Sequence, residues 1–483
     1  MTKQTFFFYD LETSGINPRE QRIMQFAGQR TDLELKPIGA PENHLIKLTP
    51  DIVPEPDAIM LTGITPQQTL ADGITEVEFL RYFTDKIATP GTIFVGYNTV
   101  RFDDEFMRFL HYRNFYDPYE WQWRDDRSRW DMLDVVRMTR ALRPEGISWP
   151  FAPDGKPSNR LELLTSVNNL DHEMAHDALS DVYATIAVAR LLRNKQQKLF
   201  DYLLTMRDKR AVAKLVETGE AFVYTSGQYA SEFEKATVAV MLAKHQQGAF
   251  VYDLRHDPDE YQDMTAAQLA ERWRWKRERT EPRLPVKLMQ YNRCPAVAPL
   301  GVLDEASRER LQLSIDTIAK HAKLLKQALA DGFGDRVLEA ADMLQQQRQT
   351  SFLSEEKHVD GQLYDGFFDD HDRTLERALR VAEPNDIGDV AGEFRDPRLR
   401  ALAPLYKARN FAEAMTDEER TAWEEYRTRA LMDGGEKSRL GRYFARLGQL
   451  AGSDGLTAEK QFLLEELQLY GQSILPADVD EQQ

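Results

Sequence analysis

A chain of 483 residues is longer than one core ordinarily grows, so several domains are expected, and three is the expectation here. Its 42% hydrophobic and 10% aromatic content is that of a globular protein, and charges of both signs are mixed along most of its length, which argues against extended disorder. The formal net charge of −17 excludes a surface that coats nucleic acid indiscriminately but leaves room for a local basic track.

The single cysteine, Cys294, has no partner for an intramolecular disulfide. The first ten residues lack the basic start, long apolar core and cleavage site of a secretory signal, and no run approaches the length of a membrane span. A soluble, cytoplasmic protein is expected.

Thr5 to Tyr9 reads as a strand, Ile23 to Thr31 as a second, and Thr92 to Tyr97 as a buried strand leading into a helix from about Phe102. A helix from Asp177 to about Leu192 carries Ala178, Val182, Ile186 and Ala189 on one face. These alternating elements predict an α/β domain over residues 1–196. Residues 197–350 mix helical pattern with β-branched runs such as Lys235 to Val240 and Pro285 to Leu288, which predicts a smaller α+β domain. Residues 351–483 form the last domain, almost wholly helical in period from about residue 370, with a capping box at Thr416 and Glu419 and a stripe of Leu463, Leu467 and Tyr470. A frayed acidic tail is expected from Pro476 onward.

Three short segments carry chemistry. Asp10-Leu11-Glu12 follows the Phe-rich strand, and residues i and i+2 of a strand share a face, so two carboxylates project together. Alone the pair is weak, because a chain with 79 acidic residues contains such pairs by chance. The second segment, Asn98 to Glu105, runs from the buried strand into a helix whose first turn is acidic; favourable charge at a helix N-terminus explains Asp104 and Glu105, and Asp103 is the candidate. In the third, His176 enters a helix that carries Asp181 more than one turn along.

Together these place Asp10, Glu12, Asp103 and Asp181 on three elements of one α/β domain, with His176 beside them. Four clustered carboxylates repel one another without bound cations, and hard divalent ions take oxygen ligands. Two such ions about 3.5 to 4 Å apart stabilise both the attacking and the leaving oxygen of a phosphodiester. His176, whose ordinary pKa lies close to neutrality, is the candidate general base. Asp131 and Asp134 are acidic decoys, one helical turn apart and surplus to this set.

In order and context the constellation resembles the DEDDh exonucleases, and the chain is similar nearly end to end to the bacterial exonuclease I family. The motifs include Leu61-Thr62-Gly63-Ile64-Thr65-Pro66, Gly96-Tyr97-Asn98, Tyr112 to Tyr119, Ser128 to Asp131, Ala141 to Ile147, Arg160-Leu161-Glu162 and Ala175 to Ala178. Pro285 to Leu288, Leu363 to Phe368 and Ala408 to Phe411 lie beyond the nuclease domain and single out this family among DEDDh enzymes.

The resemblance implies an RNase H-like exonuclease domain, an SH3-like domain and a C-terminal helical domain enclosing a groove for one strand. It implies processive, 3′-to-5′ hydrolysis of single-stranded DNA to 5′-mononucleotides, in DNA repair and recombination. It makes Asp10 a ligand of both Mg²⁺ ions, Glu12 and Asp181 ligands of the nucleophile-side ion, and Asp103 an outer or second-ion ligand, with Mn²⁺ as the expected substitute. Thr62, Gly63 and Ile64 would border the 3′-terminal nucleotide and Arg160 would approach a phosphate. The family is also a partner of single-stranded DNA-binding protein, and Arg143 is a candidate contact for that protein's acidic C-terminal tail. A monomer is expected. The same four acids would also serve an exoribonuclease, and a non-catalytic strand-binding or partner-recruiting protein is a third reading.

Plain structural readings stand beside these: a turn before a helix for Thr62 to Ile64, a surface arginine at Arg160 and a solvated loop at Arg143. The basic stretch from Arg272 to Arg293, with Trp273 and Trp275, reads as an exposed helix whose tryptophans pack inward. Trp121, Trp123 and Trp130 are expected in the core.

Overall fold

The computed structural model describes residues 3–170, 177–274, 281–352 and 358–476. Its first sheet has the order β3-β2-β1-β4-β5, built from β1 (Thr5–Thr13), β2 (Ile23–Thr31), β3 (Glu42–Leu45), β4 (Thr92–Gly96) and β5 (Ser128–Asp131). β1, β4 and β5 run parallel, whereas β2 and β3 pair antiparallel along the other side. The helices that matter for the site are α1 (Pro56–Thr62), α2 (Pro66–Asp72), α3 (Glu76–Tyr82), α4 (Asp103–Arg113), α5 (Met132–Leu142), α6 (Leu161–Val167) and α7 (Ala178–Lys195).

Alternation along β1 sorts its aromatic residues onto two faces. Phe6 and Phe8 join α5 and α7 in one apolar cluster, while Phe7, Tyr9 and Leu11 join α3 and α4 in another. Both faces are therefore covered, as expected for a sheet with a parallel core. The first cluster continues through the helix Gln197–Thr205, whose Phe200 meets Trp130 edge-on at 5.0 Å, into a second sheet.

That second sheet is antiparallel, in the order β10-β6-β7-β8-β9, with β6 at Phe222–Thr225, β7 at Ala236–His245, β8 at Gly248–Asp253, β9 at Val286–Gln290 and β10 at Val297–Pro299. The strand expected at Lys235 to Val240 thus extends to His245, because β8 pairs along its whole length. Two long helices, Ile315–Ala330 and Phe333–Phe352, follow.

The C-terminal region is helical, and the expected capping box at Thr416 and Glu419 opens the helix Asp417–Met432. It is held to the first sheet's region by two apolar seams. Ile52, Ile59 and Ile64 meet Tyr443, Leu467 and Tyr470 in one, and Phe109, Tyr112 and Phe115 meet Ile387, Phe394 and Leu399 in the other. Between them lies a buried ionic lock: Arg409 binds Asp51 at 2.7 Å and Asp360 at 2.7 Å, and Arg22 binds Asp360 at 2.5 Å. No helix among the described residues is long and apolar enough to cross a membrane.

Trp121 and Trp130 are buried as expected, but Trp123 is 63% exposed. Its backbone explains the difference. Trp121 lies within the one-turn 3₁₀ helix Glu120–Gln122 and Trp123 caps it, so side chains two residues apart on so tight a turn point in different directions. Trp273 packs inward, 5.3 Å from Phe250, while Trp275 lies outside the described residues.

Candidate active site

By the alternation of β1, Asp10 and Glu12 continue the row of Phe6 and Phe8 on the face that α7 covers. The strand does not end at Asp10. It runs on to Thr13, with Asp10 opposite Ala27 and Glu12 opposite Gln25, and its bulge falls only after Glu12. Ladder hydrogen bonds consequently hold the backbone at both residues and fix where their side chains leave the strand.

α7 supplies the third acid. Asp177 caps the helix by accepting from the Ser180 N–H at 3.0 Å, and the turn so formed presents Asp181 to β1. Carboxylate oxygens of Asp10, Glu12 and Asp181 lie within 4.8 Å of one another, a spacing that could hold a metal ion.

The fourth acid, Asp103, is the buried first residue of α4. At the end of β4, a Cβ on Gly96 would lie 2.0 Å from the Thr99 methyl and 2.9 Å from the Tyr9 carbonyl, so glycine lets the chain turn this close to β1. A short 3₁₀ turn, Thr99–Arg101, then delivers Asp103 beside Leu11, whose backbone hydrogen-bonds to its carboxylate.

The electrostatics follow from this crowding. Burial, then the charges of Asp103, Glu12, Asp181 and Asp177, push Asp10 well above the ordinary carboxylate range. Burial, with Asp181, Asp103 and Asp177, pushes Glu12 up to about 8. Burial, with Asp104 and Asp131, pushes Asp103 up to about 8. A set of oxygen donors that repel their own ionisation is chemically suited to hard divalent cations, which supply the missing positive charge.

The neighbouring acids have structural partners. Asp104 accepts from the Tyr9 hydroxyl at 2.6 Å and pairs with Arg129, whose other nitrogen reaches the Asn292 carbonyl at 2.6 Å. Glu105 pairs with Arg108 at 2.5 Å and Arg293 at 3.5 Å and accepts from Tyr364 at 2.5 Å. These bonds tie the site helix to the second sheet's region and to the C-terminal region. The decoys are structural too: Asp131 accepts from the N–H groups of Asn98, Val100 and Leu133, and Asp134 pairs with Arg101 and Arg137.

Beside the acids opens a cleft of about 530 Å³ lined by Gln25, Asn43, Thr62, Gly63, Ile64 and Asp177, among others. Thr62 ends α1, and Gly63 adopts φ 73°, the left-handed cap that glycine accommodates. The Ile64 side chain turns into the seam with the C-terminal helices. The structure therefore brings Thr62, Gly63 and Ile64 to the rim of a cavity that Asp177 also lines.

Arg160 and Arg143 are not among the residues that line this cleft. Arg160 sits at the start of α6, 70% exposed and paired with Glu162; its neighbour Asn159 accepts from the Tyr97 hydroxyl just beyond β4. Arg143 follows α5, where it donates to the Val302 carbonyl at 2.9 Å and lies 3.3 Å from Asp304, so it is engaged rather than merely solvated. His176 lies outside the described residues. The sequence reading missed the charge of Asp177 on the acids and the cleft residues Gln25 and Asn43; of these only Asp177 carried a signal, by its place inside the His176 motif.

Three family models match the chain: Exonuclease over residues 7–189, the Exonuclease I SH3-like domain over 207–339 and the Exonuclease I C-terminal domain over 357–474. The chain belongs to the exonuclease I family. Exodeoxyribonuclease I of Haemophilus influenzae is 39% identical, the match covering 98% of this chain and 99% of that one. Exonuclease I from Methylocaldum szegediense is similar in structure, with TM-score 0.90 and 41% identity over 98% of this chain and 99% of that one. The Escherichia coli exonuclease I solved with a dA16 oligonucleotide gives TM-score 0.90 and 36% identity over 98% and 100%. Related structures are a zinc-bound exonuclease I complex with single-stranded DNA and an SSB/exonuclease I structure. The expected architecture, an RNase H-like exonuclease domain with SH3-like and helical C-terminal domains, is thereby borne out, and the chain is an exonuclease, a hydrolase.

Proposed function

We propose that this exonuclease digests single-stranded DNA processively from the 3′ end, releasing 5′-mononucleotides, with two Mg²⁺ ions for which Mn²⁺ substitutes. The observation that carries the reading is the convergence of Asp10, Glu12 and Asp181 oxygens within 4.8 Å, with Asp103 adjoining.

Asp10 is assigned to both ions, Glu12 and Asp181 to the nucleophile side, and Asp103 to the second ion or its surroundings. Bound divalent cations stabilise charge on the attacking and leaving oxygens. The chain's own groups do the rest: Thr62, Gly63 and Ile64 border the terminal nucleotide, Arg160 meets a phosphate, and His176 accepts the proton of the attacking water. The open cleft beside Asp177 supports the first of these placements. The exposure of Arg160 leaves its guanidinium accessible to a strand.

We assign the working units to residues 1–196, 197–350 and 351–483, acting as a cytoplasmic monomer in DNA repair and recombination. Arg143 is proposed to receive the acidic C-terminal tail of single-stranded DNA-binding protein, in exchange for its pairing with Asp304. Arg143→Ala should then weaken that tail's binding and leave digestion of naked strands unchanged.

The test of the activity is digestion of a 5′-labelled oligonucleotide. A ladder that shortens from the 3′ end in Mg²⁺ and stops in EDTA supports the reading. Faster loss of the RNA strand of the same sequence would favour an exoribonuclease instead.

A further inference from the structure

In the C-terminal region the helices Pro397–Asn410 and Asp417–Met432 enclose a cavity of about 360 Å³, lined by Val359, Pro404, Leu405, Met415, Trp423 and Tyr426, among others. It shares no lining residue with the cleft beside the acids. Small residues leave the room: Ala401 on the first helix and Ala422 on the second both line it, and both are exposed, which sets them at its mouth. Its walls are aromatic and aliphatic. Trp423 and Tyr426 stack with centroids 5.3 Å apart and planes at 19°, and Leu405 packs in the same cluster. Mostly apolar walls with a few polar groups, at a volume in the range of roughly 300–1,000 Å³, are the usual make-up of a small-molecule site.

Two hydrogen-bond donors are left over in these walls. His358 Nδ1 accepts from the Asp360 N–H at 3.3 Å, so the neutral ring carries its proton on Nε2, which donates to the Tyr426 hydroxyl oxygen at 2.6 Å. Burial, with Arg409, Arg439 and Arg22, outweighs Asp360 and holds His358 below its ordinary value, so the ring is uncharged at neutrality. The Tyr426 hydroxyl proton then has no acceptor among the described residues. Lys407, only 4% exposed, donates to both Glu419 oxygens at 2.7 Å each. An ammonium has three donors, and the third has no acceptor among the described residues. An acceptor is left over as well: Pro404 lies inside its helix and has no N–H, so the Arg400 carbonyl lacks its usual helical donor. Charge, by contrast, is already balanced. Lys407 is paired with Glu419, and an added carboxylate or phosphate would stand against Glu419 with no spare cation among the lining residues.

We infer that this cavity binds an uncharged, planar heteroaromatic molecule of the nucleobase or nucleoside class, at a site separate from the cleft of the acids. Apolar and aromatic walls take the ring faces, the Tyr426 and Lys407 protons meet ring nitrogens or carbonyl oxygens, and Glu419 or the Arg400 carbonyl accepts from an exocyclic amine. The want of a free cation sets it apart from any site for strand phosphates. Nothing in this chemistry depends on strand hydrolysis. The wall also adjoins the ionic lock, since His358 touches both Tyr426 and the Asp360 N–H, and Asp360 holds Arg409.

The experiment is isothermal titration calorimetry of the full chain with adenosine in EDTA. One adenosine per chain should bind, with a Kd on the order of 0.1 mM for a ligand of this size. Ala422→Leu, an exposed change that fills the mouth, should weaken binding at least about tenfold while Tm and strand digestion stay as in the wild type. Tyr426→Phe removes one donor and should weaken it about three- to tenfold. Saturating oligothymidine should leave the adenosine affinity unchanged, and any binding of adenosine 5′-monophosphate should be the same in Ala422→Leu as in the wild type. No heat from the wild type up to about ten times that Kd, wild-type affinity in Ala422→Leu or in Tyr426→Phe, displacement of adenosine by oligothymidine, or an Ala422→Leu loss as large for the monophosphate as for adenosine would each overturn the inference. Calorimetry in EDTA needs no turnover, so failure of the exonuclease reading and failure of this site are read separately.

Discussion

The Tyr9 hydroxyl donates to Asp104 at 2.6 Å, joining the strand residue beside Asp10 to the helix residue beside Asp103. The two acids are thus aligned by their neighbours, on the opposite face of β1, and Arg129 closes the arrangement from β5. Tyr9→Phe removes this bond but leaves Asp104 paired with Arg129. A stability loss of about 1–3 kcal/mol in urea denaturation is expected, with a lower kcat and unchanged strand affinity. An unchanged kcat would mean that the bond does not position the acids.

Replacing Asp181 with Asn preserves shape and removes one of the three convergent charges. Mononucleotide release should fall by at least about 10³-fold, equivalent to about 4 kcal/mol of barrier. Binding of the strand in EDTA should persist, because the loss is of cation coordination. A variant within tenfold of wild type would remove Asp181 from the cation site.

The raised carboxylates make cation-free stability depend on pH. Glu12 and Asp103 titrate near 8 in the folded chain and near ordinary carboxylate values when unfolded, so between about pH 4.5 and 8 the folded state holds the extra protons. Stability in EDTA should therefore fall as pH rises through that window. Cations displace those protons, so the gain in Tm on adding Mg²⁺ should grow from pH 5 to 8. Comparing Tm with and without Mg²⁺ at each pH cancels other raised groups such as Glu376, which is also pushed up to about 8 by burial. A gain that is flat with pH would contradict the assignment.

Asp360 joins Arg22 and Arg409 across the seam between the first and last regions. Asp360→Ala leaves two buried guanidiniums short of a partner, at a cost of about 3–5 kcal/mol. Urea denaturation should show the loss, and the C-terminal helices should become sensitive to limited proteolysis. The carboxyls of Asp360 and Asp51 are both held below the usual range, as Arg409 and Arg22 outweigh burial. Their stabilisation is full above about pH 4 and should be lost only as pH falls further.

Much of the site was legible because local rules place it. Period-two alternation put Asp10 and Glu12 on one face, the apolar stripe of Ala178, Val182 and Ile186 located the helix of Asp181, and the buried strand from Thr92 led into the helix of Asp103. What escaped the sequence depends on long-range packing. Nothing local tells that Arg22, Asp51, Asp360 and Arg409 meet, that Tyr364 reaches Glu105, or that Arg143 faces Asp304. The motif Ala408 to Phe411 was recognisable by resemblance, and its physical meaning appears only in the fold: Arg409 completes the lock, and Asn410 accepts from the Val77 N–H at 3.2 Å. Trp123 shows the limit of composition, since aromatic character alone could not fix its direction on a tight turn.

The most direct test of the cation site is single-turnover digestion of a 5′-labelled strand in Mg²⁺ by the wild type and by Asp10→Asn. Stepwise shortening from the 3′ end by the wild type, with no detectable shortening by a folded, strand-binding variant, is the predicted result. Shortening by Asp10→Asn at a rate near that of wild type would contradict the claim that these carboxylates carry the hydrolysis.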